Sequence, residues 1–186
     1  MHRHVVTMRD IDALQIPDGT RVLLDEGTPV RITQALGGSI TVMTDFGQML
    51  RVDAANADAL GLDHEEAAKM AAGNGGAEEA EGPLEDRVWG VLRTIFDPEI
   101  PVNIVELGLV YDCAVGADEE DGKRDVRIKM TLTAPACGMG PVLVEDVRRK
   151  LEAMGDVRQA EIELVFDPPW NPDMMSEAAR LQLGFL

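Results

Sequence analysis

The chain has 186 residues, with 34 acidic against 17 basic side chains and a formal net charge of -17. Such a surface repels polyanions, so nucleic acid and anionic membranes are poor partners, whereas a protein or a cation is an easier one. Only two cysteines, Cys113 and Cys137, no apolar run of about 18 residues and no signal-like leader together predict a soluble cytoplasmic chain with reduced thiols.

Residues 1–62 read as a small β-rich module. Val30, Ile32, Gln34 and Leu36 alternate with Arg31, Thr33 and Ala35, Gly37-Gly38 makes a turn, and Ile40 and Val42 continue beyond it. A second turn at Asp45-Phe46-Gly47 precedes Met49 to Val52, which predicts a meander of roughly three strands. This module shows no nucleophile, metal cluster or phosphate loop. Residues 63–82 are an acidic Ala/Gly linker, because so few large apolar side chains cannot offset the entropy of ordering. Its first part, to Met70, is rich in helix formers.

Residues 83–186 carry a clearer pattern. Pro83, Glu85 and Asp86 start a helix whose apolar face is Leu84, Val88, Val91, Leu92 and Ile95, and Asp97-Pro98 stops it. Every second residue from Val105 to Val115 is apolar or Cys113, which predicts a strand. After an acidic turn at 117–123, Val126, Ile128, Met130 and Leu132 form its hairpin partner. A helix follows with Leu143, Val147, Leu151 and Met154 on one face, ended by Gly155; then a strand through Ala160, Ile162, Leu164 and Phe166, and a last helix over 172–183 capped by Gly184. The order α-β-β-α-β-α predicts an α+β domain with a small three-stranded sheet and its helices on one side.

Cys113 lies in register with the apolar face of its strand and reads as an inert core thiol. Cys137 leaves that register. Pro135, Gly138 and Gly140 flank it, and Pro141 marks the start of the next helix, where unpaired N–H groups and the dipole favour thiolate. The alternative is a half-buried loop cysteine without chemistry. The histidines, His2, His4 and His64, fall outside this domain, which argues against a Cys–His catalytic pair. No CxxC pair occurs, so one thiolate makes an incomplete site, suited to exchange rather than storage. A two-fold homodimer would supply two such thiolates. Among the acids, Asp97 and Asp167 suit caps, whereas Glu99, between Asp-Pro and Ile-Pro, and Glu106, inside an apolar segment, are candidates for a second ligand or a partner-facing patch. Trp170 and Met174-Met175 form either a recognition edge or core.

Three segments, DPEIPVNIVELGLVYD (97–112), TLTAPACGMG (131–140) and FDPPWNPDMMSEAARLQLGF (166–185), in this order and spacing closely resemble the SufT family of iron-sulfur assembly proteins. That family carries the wider metal-sulfur cluster assembly domain, also found in the phenylacetate oxygenase accessory subunit and in cytosolic iron-sulfur targeting factors. The likeness to the domain covers about Leu84 to Leu186, and the longer SufT form adds a region like Met1 to Leu62. It implies a loop cysteine, matching Cys137, that takes part in iron-sulfur maturation as a transient ligand or client contact. The implied partners are the assembly machinery and client apoproteins, and the cargo a transient cluster or iron, with none stably bound. Gly138 follows the cysteine as in the SufT subgroup, where much of the wider family has proline, and Ala136 stands where the subgroup often has glycine. Some relatives fuse the domain to a P-loop ATPase, but GxxxxGK[ST] does not occur here. The resemblance thus implies a non-enzymatic maturation factor; the alternative is an accessory subunit of a multicomponent oxygenase.

Overall fold

The alternating stretch from Val30 forms the long hairpin of an antiparallel sheet that is larger than its pattern foretells. A computed structural model describes residues 3–63, 65, 82–117, 122–135 and 137–185. The chain is α+β and divides into two compact units. In the N-terminal unit β1 (Arg3–Val6), β2 (Ile11–Ile16), β3 (Arg21–Leu24), β4 (Pro29–Leu36), β5 (Ser39–Thr44) and β6 (Met49–Asp53) make one sheet in the order β1-β4-β5-β6-β2-β3. The three expected strands are β4 to β6. The other three escape a periodicity reading because β1 and β3 have four residues each and β2 alternates only over Ile11 and Ala13.

Gly37 (φ 63°) and Gly38 (φ 89°) form the two-residue β4–β5 turn, a left-handed conformation that glycine adopts without a Cβ clash. Ile11, Leu24, Val30, Ile32, Val42 and Val52 meet in the core, where each fully buried aliphatic side chain contributes about 1.5–3 kcal/mol. A 3-10 segment, Ala54–Leu60, adds Leu60 to that core; Asp53 accepts from Ala55 N–H at its start, and Gly61 ends it in the left-handed region.

The C-terminal unit holds α1 (Leu84–Leu92), β7 (Val110–Val115), β8 (Arg124–Met130), α2 (Gly140–Glu152), β9 (Val157–Leu164), a 3-10 turn at Pro172–Met174, and α3 (Glu177–Leu183). β8 is central: β7 pairs with it antiparallel and β9 parallel, and α2 provides the crossover that a parallel pair requires. Val126, Ile128 and Met130 are buried, on the face that α1 and α2 cover; Asp125, Arg127, Glu161 and Glu163 are exposed on the other. α1 and α2 on one side of three strands match the expected α+β architecture.

Two elements differ from their sequence patterns. β7 begins at Val110 rather than Val105, because the Asn103 side chain folds residues 103–106 into a turn and Gly108 takes φ +71°. The last helix is split, since Ser176 breaks it in extended backbone and then caps α3, accepting from Ala179 N–H at 3.1 Å. The expected linker lies outside the described residues except for Asp63, Glu65 and Gly82, and so does most of the acidic turn at 117–123.

Candidate functional site

Strand register decides which loops meet. Val110, Met130 and Leu164 stand side by side at one end of the three-stranded sheet. The chain leaves that end three times, backwards through 103–109 and forwards through 131–139 and 165–176. Two backbone bonds extend the ladder, Thr131 N–H to the Leu109 carbonyl and Val165 N–H to the Met130 carbonyl, both 2.8 Å. The motif segments read from the sequence are therefore neighbours.

The first segment is a rigid support. Asn103 Oδ1 accepts from Val105 N–H (3.1 Å) and Glu106 N–H (2.9 Å), and Leu107, Gly108 and Leu109 N–H groups close further turns on Asn103, Val105 and Ile104. Leu107 and Leu109 are fully buried. The C-terminal segment seats on it: Trp170 Nε1 donates to the Leu107 carbonyl at 2.8 Å, Tyr111 OH donates to the Pro168 carbonyl at 2.8 Å, and Ser176 N–H donates to the Glu106 carbonyl at 2.9 Å. Met175 is buried and Met174 half-buried, so Trp170 and the two methionines pack rather than form a free edge.

Cys137 lies in the middle segment, half-buried, with its backbone held on both sides. Its N–H donates to the Ala134 carbonyl at 3.1 Å, and its carbonyl accepts from Gly140 N–H at 3.0 Å. α2 then starts with Gly140 and Pro141 in its first turn, and Met139, at its N-cap, provides no side-chain cap. A Cβ at Gly140 would stand 2.6 Å from Leu132 Cδ1, so a larger residue there must displace that buried methyl group. The thiol thus sits just ahead of a helix start, in a loop fixed by two turns. Ala136 lies outside the described residues.

Glu106 is half-buried on the supporting segment, its peptide bonded on both sides, whereas Glu99 is exposed in the preceding loop. Among the described residues no three His, Cys, Asp or Glu side chains gather as a metal site. A feature that sequence reading missed is Thr131, 1% exposed, whose hydroxyl has no hydrogen-bond partner among the described residues. Alternation placed it on the open face of the sheet, so its burial had no sequence signal; an unpaired buried hydroxyl is costly.

Cys113 is half-buried like Cys137 rather than fully in the core, but its surroundings differ. It pairs with Ile128 on the helix-covered face, and burial, then the charges of Glu85 and Asp112, push its thiol up to about 11. Alkylation by iodoacetamide at this residue is expected to be slow near pH 8 and to accelerate towards about pH 11, because the thiolate is the nucleophile. The unfolded thiol releases its proton from about pH 8.5, so this group's contribution to stability is complete below that value and lost as pH rises through about 11. Rapid labelling of the native Cys113 near pH 8, followed by peptide mapping, would contradict this.

Comparison with known proteins decides what this arrangement belongs to. Residues 85–164 match the family model described as "Iron-sulfur cluster assembly protein". A "Fe-S protein maturation auxiliary factor" of Porphyromonas gingivalis is 50% identical over 102 residues, 55% of this chain and 92% of that protein. The factor YitW of Bacillus subtilis is 39% identical over 56% of this chain and 97% of its own, and SufT of Staphylococcus aureus is 39% identical over 48% and 97%. The chain belongs to the SufT family of iron-sulfur cluster assembly proteins. Within this SufT-family chain the family model begins at α1 and ends with β9, so it includes Cys137 and the loop beneath it. The seating segment that carries Trp170 lies just beyond. Among the described residues no helix is long and apolar enough to cross a membrane.

Proposed function

We propose that this chain is a non-enzymatic maturation factor that helps deliver iron-sulfur clusters to client apoproteins, with Cys137 as a transient ligand or client contact. One observation carries the reading: a half-exposed thiol, fixed by turns at a helix start, stands at the sheet end where three separate segments converge. Its relatives' names, maturation auxiliary factors, support it. A lone thiolate binds a cluster weakly and releases it readily, since a stable cluster takes four such ligands. The remaining ligands come from the donor, the client or a second copy of the chain. Glu106 and Glu99 are proposed as supporting acids, the first beside the seating segment and the second exposed towards a partner. Delivery takes place in the cytoplasm, where both free thiols stay reduced.

The test is anaerobic activation of an apo iron-sulfur enzyme by a loaded scaffold, with and without the purified chain, measuring iron, sulfide and client activity together. A faster or fuller rise in activity is expected when the chain is present. An unchanged rise across a range of chain concentrations would overturn the delivery role.

A further inference from the structure

The N-terminal unit has a groove of its own. It encloses about 400 Å³ between edge strand β3 and the β5–β6 turn, with Val22, Leu24, Pro29 and Leu50 along its walls. Phe46 stands over it 93% exposed, and Leu23 beside it is 60% exposed. The Phe46 turn is fixed rather than frayed: Thr44 N–H donates to the Gln48 carbonyl and Gly47 N–H to the Thr44 carbonyl, both at 2.9 Å, with Gly47 at φ +79°. The opposite wall is fixed as well, since Thr7 exchanges backbone bonds with Gly27 (2.8 Å) and Thr28 (3.1 Å) and its hydroxyl donates to the Asp25 carbonyl at 2.6 Å. Phe46 and Leu23 line the same groove, so they form a shared apolar patch rather than singly scattered side chains, and such patches mark interaction sites.

We infer that this groove binds an extended, basic-apolar segment of a partner protein. Three features select that occupant. β3 lies at the edge of its sheet with β2 as its one neighbour, so its outer side offers main-chain groups to an added strand. Phe46 and Leu23 offer apolar cover to alternate side chains of such a strand. Among the described residues Asp25 and Asp45, both exposed, are the charged groups lining the groove and no lysine or arginine lines it, so a cation on the segment is attracted and an anion rejected. A second copy of the chain, at net charge -17, brings the wrong sign, and so does nucleic acid. The inference stands apart from the cluster reading, because every residue in it belongs to the N-terminal unit.

The probe is a capped, fluorescein-labelled peptide of about six residues, a usual strand length, alternating leucine and lysine; its partner carries glutamate for lysine. Anisotropy is measured with the full chain at roughly 0.15 M salt, where exposed charges more than a Debye length apart are largely screened. The lysine peptide is expected to bind and the glutamate peptide not. Phe46→Ser should weaken binding roughly tenfold or more and Asp45→Asn roughly two- to fivefold, the scale of an exposed ion pair, while Glu163→Gln, on the other unit, leaves it unchanged. Circular dichroism confirms that each variant folds, as the exposure of all three side chains implies. Absence of binding, or equal affinity for all variants, overturns the inference. So does a wild-type dimer in sedimentation that Phe46→Ser dissolves, which would assign the groove to a second copy.

Discussion

Replacing Gly108 with alanine is expected to lower the melting temperature of the C-terminal unit by roughly 10–30 °C. Two terms add. Gly108 sits at φ +71°, where an L side chain costs about 1–2 kcal/mol. Its Cβ would also stand 2.2 Å from the Met174 carbonyl oxygen and 2.7 Å from the carbonyl carbon. That obstacle is backbone and cannot swing away, so the seating segment must lift, at a cost of about 1–3 kcal/mol on the scale of overpacked sites. Gly122→Ala is the control: φ is +73° but none of the described residues lies within 4 Å, so only the first term remains. Both tryptophans, Trp89 and Trp170, lie in this unit, so their fluorescence follows its unfolding alone. Equal shifts for the two variants would mean that the Met174 contact carries no weight.

Cys137→Ser is expected to reduce client activation roughly tenfold or more while the fold is kept, and Cys113→Ser to leave activation near wild type. Serine preserves the size of the side chain and both backbone bonds of the turn, but a hydroxyl is a poor ligand for iron in a sulfide environment. Cys113 is the internal standard, since its thiol is on the helix-covered face and held protonated. Unfolding curves on the same samples separate a lost ligand from a lost fold. Full activation by the serine variant at position 137 would remove that residue from the proposed mechanism, and matching losses at both cysteines would point to damage to the unit instead.

Much of the C-terminal architecture is legible because one face of its sheet is buried and the other wet, so Val126, Ile128 and Met130 alternate with Asp125, Arg127 and Lys129. The same logic fails over 105–109. Leu107 and Leu109 are spaced like strand residues and are buried, yet an asparagine turn and a left-handed glycine hold them in a loop. At the candidate site, Cys137 is visible by its departure from register among glycines, but its neighbours are not. Trp170 on Leu107 and Ser176 on Glu106 are contacts between distant parts of the chain, and periodicity describes only local order. In the N-terminal unit, β1 and β3 are too short to show a period, so the edge that forms the groove has no pattern to find.

The Trp170–Leu107 bond spans 63 residues, which gives the site a schedule during synthesis. At roughly 5–20 residues per second, the ribosome makes Leu107 about 3–13 s before its partner. Cys137 emerges within that interval, when β9 and the seating segment do not yet exist. A nascent chain therefore holds the Cys137 loop for some seconds without the seating segment, and this end of the sheet is complete only once Trp170 has been made and has bonded to Leu107.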